Sequence, residues 1–169
     1  MESTSRKAQV IEVGSPGLWV TEAEHSISVS ALAGLVKVGD LTSTDAHRVT
    51  AREGIKTHLA IQKRRPSPYI AEQTIRYRCE TALGVLEIRG RMDGWMPAYA
   101  GIDAWVEEIK TSRQAHIETP AASHTKHADQ LQWYAWMILC LDQSESVAGQ
   151  LTYVHPDSCL LYTSDAADE

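Results

Sequence analysis

Asp93, Glu108, Lys110, Gln130 and Tyr134 fall in an order and spacing that could hydrolyse a phosphodiester bond. Their surroundings are Gly90-Arg91-Met92-Asp93-Gly94, Glu107-Glu108-Ile109-Lys110 and Gln130-Leu131-Gln132-Trp133-Tyr134. That reaction needs a positioned water, one or two divalent ions to hold the phosphate, and neutralisation of charge growing on its oxygens. Two carboxylates and a lysine can supply all three. Asp93 follows an alternating run and precedes Gly94, which places it at a strand end where the chain bends. Glu108 and Lys110 are two apart, so on a strand they share a face and Ile109 points into the core. Glu107 is the rival acid, since a slip of one residue would exchange the faces, and parity with Lys110 selects Glu108. Hard oxygen ligands favour magnesium, with manganese tolerated beside an imidazole and zinc disfavoured.

Gln130 and Tyr134 stand at i and i+4 of a helical pattern and therefore share a face that could reach the same substrate. Taken alone, the pair reads more readily as the polar edge of an amphipathic helix, and it is the order of the whole set that favours a site. His58 precedes the strands and could add a nitrogen ligand to Asp93 and Glu108. Glu72, at the start of the first strand of the core, could orient a ligand, although an exposed strand acid is the simpler reading. His124 and His127 have no cysteine pair to complete a zinc site and read as loop residues.

The elements that must position these groups follow from periodicity and punctuation. Residues up to about Ser26 mix polar and small types around the turn signal Gly14-Ser15-Pro16-Gly17 and suggest a short strand or arm. A helix starts at Ser28 and ends near Gly39-Asp40, and a second spans about Asp45 to Lys63, stopped by Pro66 and Pro68. Strands are predicted over Ile70–Arg78, Val85–Asp93 and Ile102–Ile109, then a helix over His127–Leu141 and a strand over Val147–Val154. The class is α/β with an αβββαβ core, a mixed central sheet flanked by helices.

The chain has 169 residues, 43% of them hydrophobic, which suits one domain with a real core. No apolar stretch approaches the roughly 18 residues of a membrane span. Met1 to Lys7 lacks the apolar run of a signal peptide, so a cytoplasmic protein without a membrane partner is expected. Cys79, Cys140 and Cys159 are odd in number and far apart, supporting neither a disulfide framework nor a Cys-x-x-Cys metal site. A net charge of -6 argues against indiscriminate binding to a phosphate backbone. Basic residues nevertheless gather near the candidate site in sequence: Lys63-Arg64-Arg65, Arg76, Arg78, Arg89 and Arg91. Residues 159–169 resemble translated sequencing-adapter tails, so the natural chain is expected to continue beyond about Ser158, and residues 158–169 are set apart from a domain at 27–157 and an arm at 1–26.

With these residues in order, the chain resembles the PD-(D/E)xK nuclease superfamily, a fold of the restriction-endonuclease kind, and within it the RecB-type branch shared with CRISPR-associated adaptation nucleases. The resemblance runs from about Ser26 to Pro156. It implies that His58, Asp93 and Glu108 are metal ligands, Lys110 the catalytic lysine, and Gln130 and Tyr134 the helical pair of that branch. A narrower similarity, to the N-terminal nuclease domain of bacterial helicases of the XPD/DinG type, rests on Ile27-Ser28-Val29-Ser30-Ala31-Leu32, Gly39-Asp40, Arg52 to His58 and Ala71-Glu72. It implies a DNA nuclease, acting on single strands or free ends, with helicase motors downstream as partners. No Walker A segment is present, so ATP hydrolysis is not expected of these residues. Members with an iron–sulfur cluster need four cysteines, and none is expected here. A binding module that keeps the fold and grips DNA or a partner without turnover is the alternative.

Overall fold

The computed structural model describes residues 10–14, 19, 22–35, 49–113, 121–142, 146–157 and 161–165. Within the opening segment, β1 (Ile11–Val13) and β2 (His25–Ser28) both join the sheet. Ser28 then accepts the Ala31 N–H at 3.1 Å and starts α1 (Val29–Leu35), whose Val29 and Ala33 are buried. Helix α2 (Ala51–Gln62) begins later than the expected Asp45. Residues 45–48 lie outside the described residues, and Val49 and Thr50 precede the helix. A capping box decides the start: Thr50 accepts the Glu53 N–H while Glu53 accepts the Thr50 N–H at 2.8 Å.

Next come β3 (Ile70–Thr81) and β4 (Gly84–Met96), a long antiparallel hairpin turned by Gly84 at a φ of 102°, where a side chain would be strained. β5 (Trp105–Thr111) starts three residues beyond the expected Ile102, which instead bridges Tyr99 across the turn at Gly101. α3 (Ala121–Asp142) starts at Ala121 rather than His127, so His124 and His127 are helical and not loop residues. β6 (Ala148–Val154) follows, and Leu161–Asp165, within the segment set apart as a tail, pairs with it as β7.

The described strands make one mixed sheet ordered β1-β3-β4-β5-β6-β7, with β2 running parallel beside the first half of β4. β5 and β6 are parallel, which requires the crossover that α3 provides. The α/β class and the αβββαβ order are therefore observed, from α2 to β6. α3 covers one face with the main core, where Leu131, Tyr134, Met137 and Ile138 meet Ile75, Ile88, Met92, Val106, Leu151 and Tyr153. α2 covers the other face through Ile61, packed with Ile109 and Val154. No helix among the described residues is long and apolar enough to cross a membrane.

Contrary to the expectation that Asp93 ends its strand, β4 runs three residues further. Instead the alternation of β4 slips there. Gly90, Met92 and Gly94 would share a face in a regular strand. Yet Met92 joins the α3-side core, a Cβ on Gly90 would meet Tyr134 of α3, and a Cβ on Gly94 would meet Tyr69, whose hydroxyl donates to Glu107 on the α2 side. Trp95, past the slip, packs again on the α3 side opposite Val106. Across the hairpin, Glu72 takes a φ of 55° where the ladder skips the pair that it and Asp93 would form. A Cβ at Gly90 would sit 2.5 Å from the Tyr134 ring, so Gly90→Ala should destabilise the fold by about 1–3 kcal/mol through overpacking. Urea denaturation reads this directly, and an unchanged midpoint would show that Tyr134 can yield.

Candidate metal centre

The β4–β5 ladder ends after Gly94 pairs with Glu107, and beyond it the two strands part. The Ile109 N–H, left without a ladder partner on that side, donates to Asp93 Oδ2 at 2.7 Å. That bond turns the Asp93 carboxylate into the fork and leaves Oδ1 facing His58 Nδ1 at 3.5 Å. His58 comes from α2, and Gln62, four residues on and on the same helical face, donates to Glu72 Oε1 at 2.8 Å and to the Asp93 carbonyl at 2.9 Å. One ligand atom from each of His58, Glu72 and Asp93 lies within 4.8 Å of the other two. The left-handed backbone at Glu72 brings its carboxylate into this group, where Arg91 also meets it at 3.0 Å.

Glu108 and Lys110 do share a face, the α3 side, and their side chains pair at 2.5 Å. Glu108 is buried, and its Oε2 has no hydrogen-bond partner among the described residues. Glu107 is turned to the other face and wholly occupied: it accepts from Arg65 Nε at 3.1 Å, Tyr69 at 2.9 Å, Gln150 at 3.3 Å, and closely from Thr152. The parity that separates the two acids is thus realised, and Glu107 is a fixed internal charge. Tyr134 is buried over Gly90 and donates to the Arg91 carbonyl at 3.1 Å, while Gln130 hydrogen-bonds the Tyr134 hydroxyl. The helical pair is therefore together, as its spacing implies. Tyr134 braces the segment that carries Asp93 and is not open to a substrate.

Five of the sequence-derived site residues, His58, Asp93, Glu108, Lys110 and Tyr134, thus surround one fork, with Gln130 behind Tyr134. Glu72 enters the compact ligand group, whereas Glu108 stands beside it, paired to Lys110. Gln62 was missed. Its signal was the i, i+4 spacing from His58, which places both on the face that meets Asp93. The basic residues grouped near the site are partly spent on internal pairs: Arg65 on Glu107, Arg78 on Glu87 and Arg91 on Glu72.

No family model matches the chain, and no curated protein matches it either. Among solved structures it is similar to the crystal structure of SSO0001, with a TM-score of 0.55 and 21% identity over 88% of this chain and 71% of that one. At that identity the likeness is one of fold. The site must be argued from its own geometry.

That geometry suits a divalent cation. The donor set is one imidazole nitrogen and two carboxylates, with a buried, unpartnered carboxylate oxygen beside them on Glu108. Burial raises the Glu108 carboxyl to about 7, helped by the Asp93 charge and opposed by Lys110 and His58. For His58, burial pulls downward, but the hydrogen bond and charge of Asp93 and the charge of Glu72 outweigh it and raise the net value. Both groups hold protons in the folded chain that the unfolded chain releases earlier. Metal-free stability must therefore fall as pH rises, for Glu108 from the ordinary 4.5 through about 7. With chelator present, Glu108→Gln should lose less stability than wild type between pH 5 and 8, by on the order of 2 kcal/mol in urea denaturation. Identical pH dependence in the two proteins would contradict a buried, proton-holding Glu108.

Proposed function

We propose that this chain is a divalent-metal-dependent DNA nuclease domain of the PD-(D/E)xK type, hydrolysing phosphodiester bonds in the cytoplasm as part of a helicase–nuclease. The observation that carries the reading is the convergence on one strand fork of His58, Glu72 and Asp93 with the buried Glu108 and its partner Lys110. The ordered sequence elements and their resemblance to RecB-type nucleases supply the substrate and the setting.

His58, Asp93 and Glu72 would hold the cation, with Glu108 as the adjoining carboxylate. Magnesium or manganese there would supply Lewis acidity and fix the scissile phosphate. The protein's own groups do the rest. Lys110 is about a quarter exposed, so its ammonium reaches the mouth of the fork and can neutralise charge that grows on a phosphate oxygen. Glu108, tied to that ammonium, can accept a proton from an attacking water once it is ionised, which its burial delays to about pH 7. Asp93 is held in place by a backbone donor. Gln62 and Tyr134 fix the backbone on either side of it, at the Asp93 and Arg91 carbonyls.

The test is cleavage of end-labelled single- and double-stranded DNA in magnesium, manganese or chelator. Wild type should cut only with metal, and Lys110→Ala should lose at least about a hundredfold in rate while keeping its far-UV spectrum. Metal-dependent cutting by Lys110→Ala at the wild-type rate would remove the assignment. DNA binding without products in either metal would favour the non-catalytic binding module.

A further inference from the structure

Away from the fork, the α3 side of the sheet holds a second feature. Tyr77 of β3 and Ile88 of β4 floor a pocket of about 570 Å³ walled by Trp133 and Trp136 of α3. Trp136 stands edge-on to both neighbours, with ring centroids 4.6 Å from Tyr77 and 5.5 Å from Trp133, so three aromatic rings form one corner. Asp129 and Gln132 complete the α3 wall. The Asp129 Oδ2 atom is buried and has no hydrogen-bond partner among the described residues. No residue of the metal centre lines this pocket.

Asp129 lines the pocket, and a ligand that brings an N–H donor gives a carboxylate there a partner. Aromatic faces beside it attract a cation. Among the described lining residues Asp129 is the one charged side chain, so a phosphate or other anion would meet a negative group with no positive one to offset it. A guanidinium fits best, because its flat face stacks on aromatic rings while its N–H edge donates to a carboxylate. We propose that this pocket is a docking site for an arginine side chain presented by a partner segment. Its volume exceeds one guanidinium and leaves room for the residues that flank it. The proposal is independent of nuclease activity.

The probe is an acetylated, amidated Gly-Arg-Gly peptide, compared with the same peptide carrying citrulline, which keeps the shape and loses the charge. Cys79 lines the pocket as a free thiol and reports occupancy through its rate of alkylation, located by peptide mapping. Chelator keeps the metal centre out of the readout. The arginine peptide should protect Cys79 and quench tryptophan fluorescence at concentrations roughly tenfold below those the citrulline peptide needs, and Asp129→Asn should abolish that difference. Equal behaviour of the two peptides on wild-type protein would overturn the proposal without recourse to any variant. So would stronger protection by deoxyadenosine than by arginine, which would make the pocket a base-stacking site.

Discussion

The hydrogen bond from the Ile109 N–H to Asp93 Oδ2 is the contact on which the rest of the site depends. β5 pairs with β6 along its whole length but with β4 over only three residues, so its β4-facing edge opens after Glu107. An unpaired backbone donor inside a sheet must find an acceptor. Asp93 supplies it with a charged side chain, and a charge-assisted bond of this kind is stronger than the ladder bond it replaces. The carboxylate is thereby fixed by backbone geometry rather than by a flexible neighbour. Everything else converges on this anchored group: His58 and Gln62 from α2, Glu72 from β3, and Glu108 and Lys110 from the far side of the fork.

Two adjacent acids on β5 show how environment, not residue type, separates structure from chemistry. Glu107 is buried against a guanidinium, a phenol, an amide and a hydroxyl, and its oxygens are all taken. Removing any one of these donors would leave a buried charge short of partners. Glu108 is almost as buried but has one cation and one oxygen with no partner among the described residues. The first arrangement ties β5 to β6 and to the segment after α2. The second keeps an ionisable group unsatisfied at the fork, and unsatisfied buried charge is what a metal ion or a reacting proton can relieve.

Much of this was legible in advance because it depends on local rules. Glu108 and Lys110 share a face since β5 is regular, and strand parity needs nothing more. The helical face of Gln130 and Tyr134 follows in the same way. What escaped depends on contacts between elements. The capping box at Thr50 and Glu53 is a visible motif, yet Asp45, a good helix-capping type itself, stands five residues upstream and competes for the boundary. α3 reaches back to Ala121 through residues too polar to display a face. Gln62 is one amide among many until α2 is laid against Glu72 and Asp93. Least legible is Glu72, a non-glycine residue in the left-handed region. Such strain, of order 1–3 kcal/mol, is held only by the surrounding structure, here by Gln62 and Arg91, and no pattern in a single strand announces it.

The same slip explains the spacing of Gly90-Arg91-Met92-Asp93-Gly94 better than a bend at Gly94 does. In a regular strand the two glycines would lie on one face, and a single helix could press on both. Because the alternation shifts between them, each opens onto a different layer, and each receives a tyrosine there: Tyr134 from α3 at Gly90, Tyr69 from the α2 side at Gly94. The Tyr134 hydroxyl then reaches the Arg91 carbonyl, and the Tyr69 hydroxyl reaches Glu107. The strand is gripped from both faces within one residue of Asp93 on one side and three on the other. A glycine at each position is the only way to bring a ring that close to the backbone without displacing it. The motif thus encodes the clamp that keeps β4 in its slipped register, and the slipped register is what aims Asp93 at the fork.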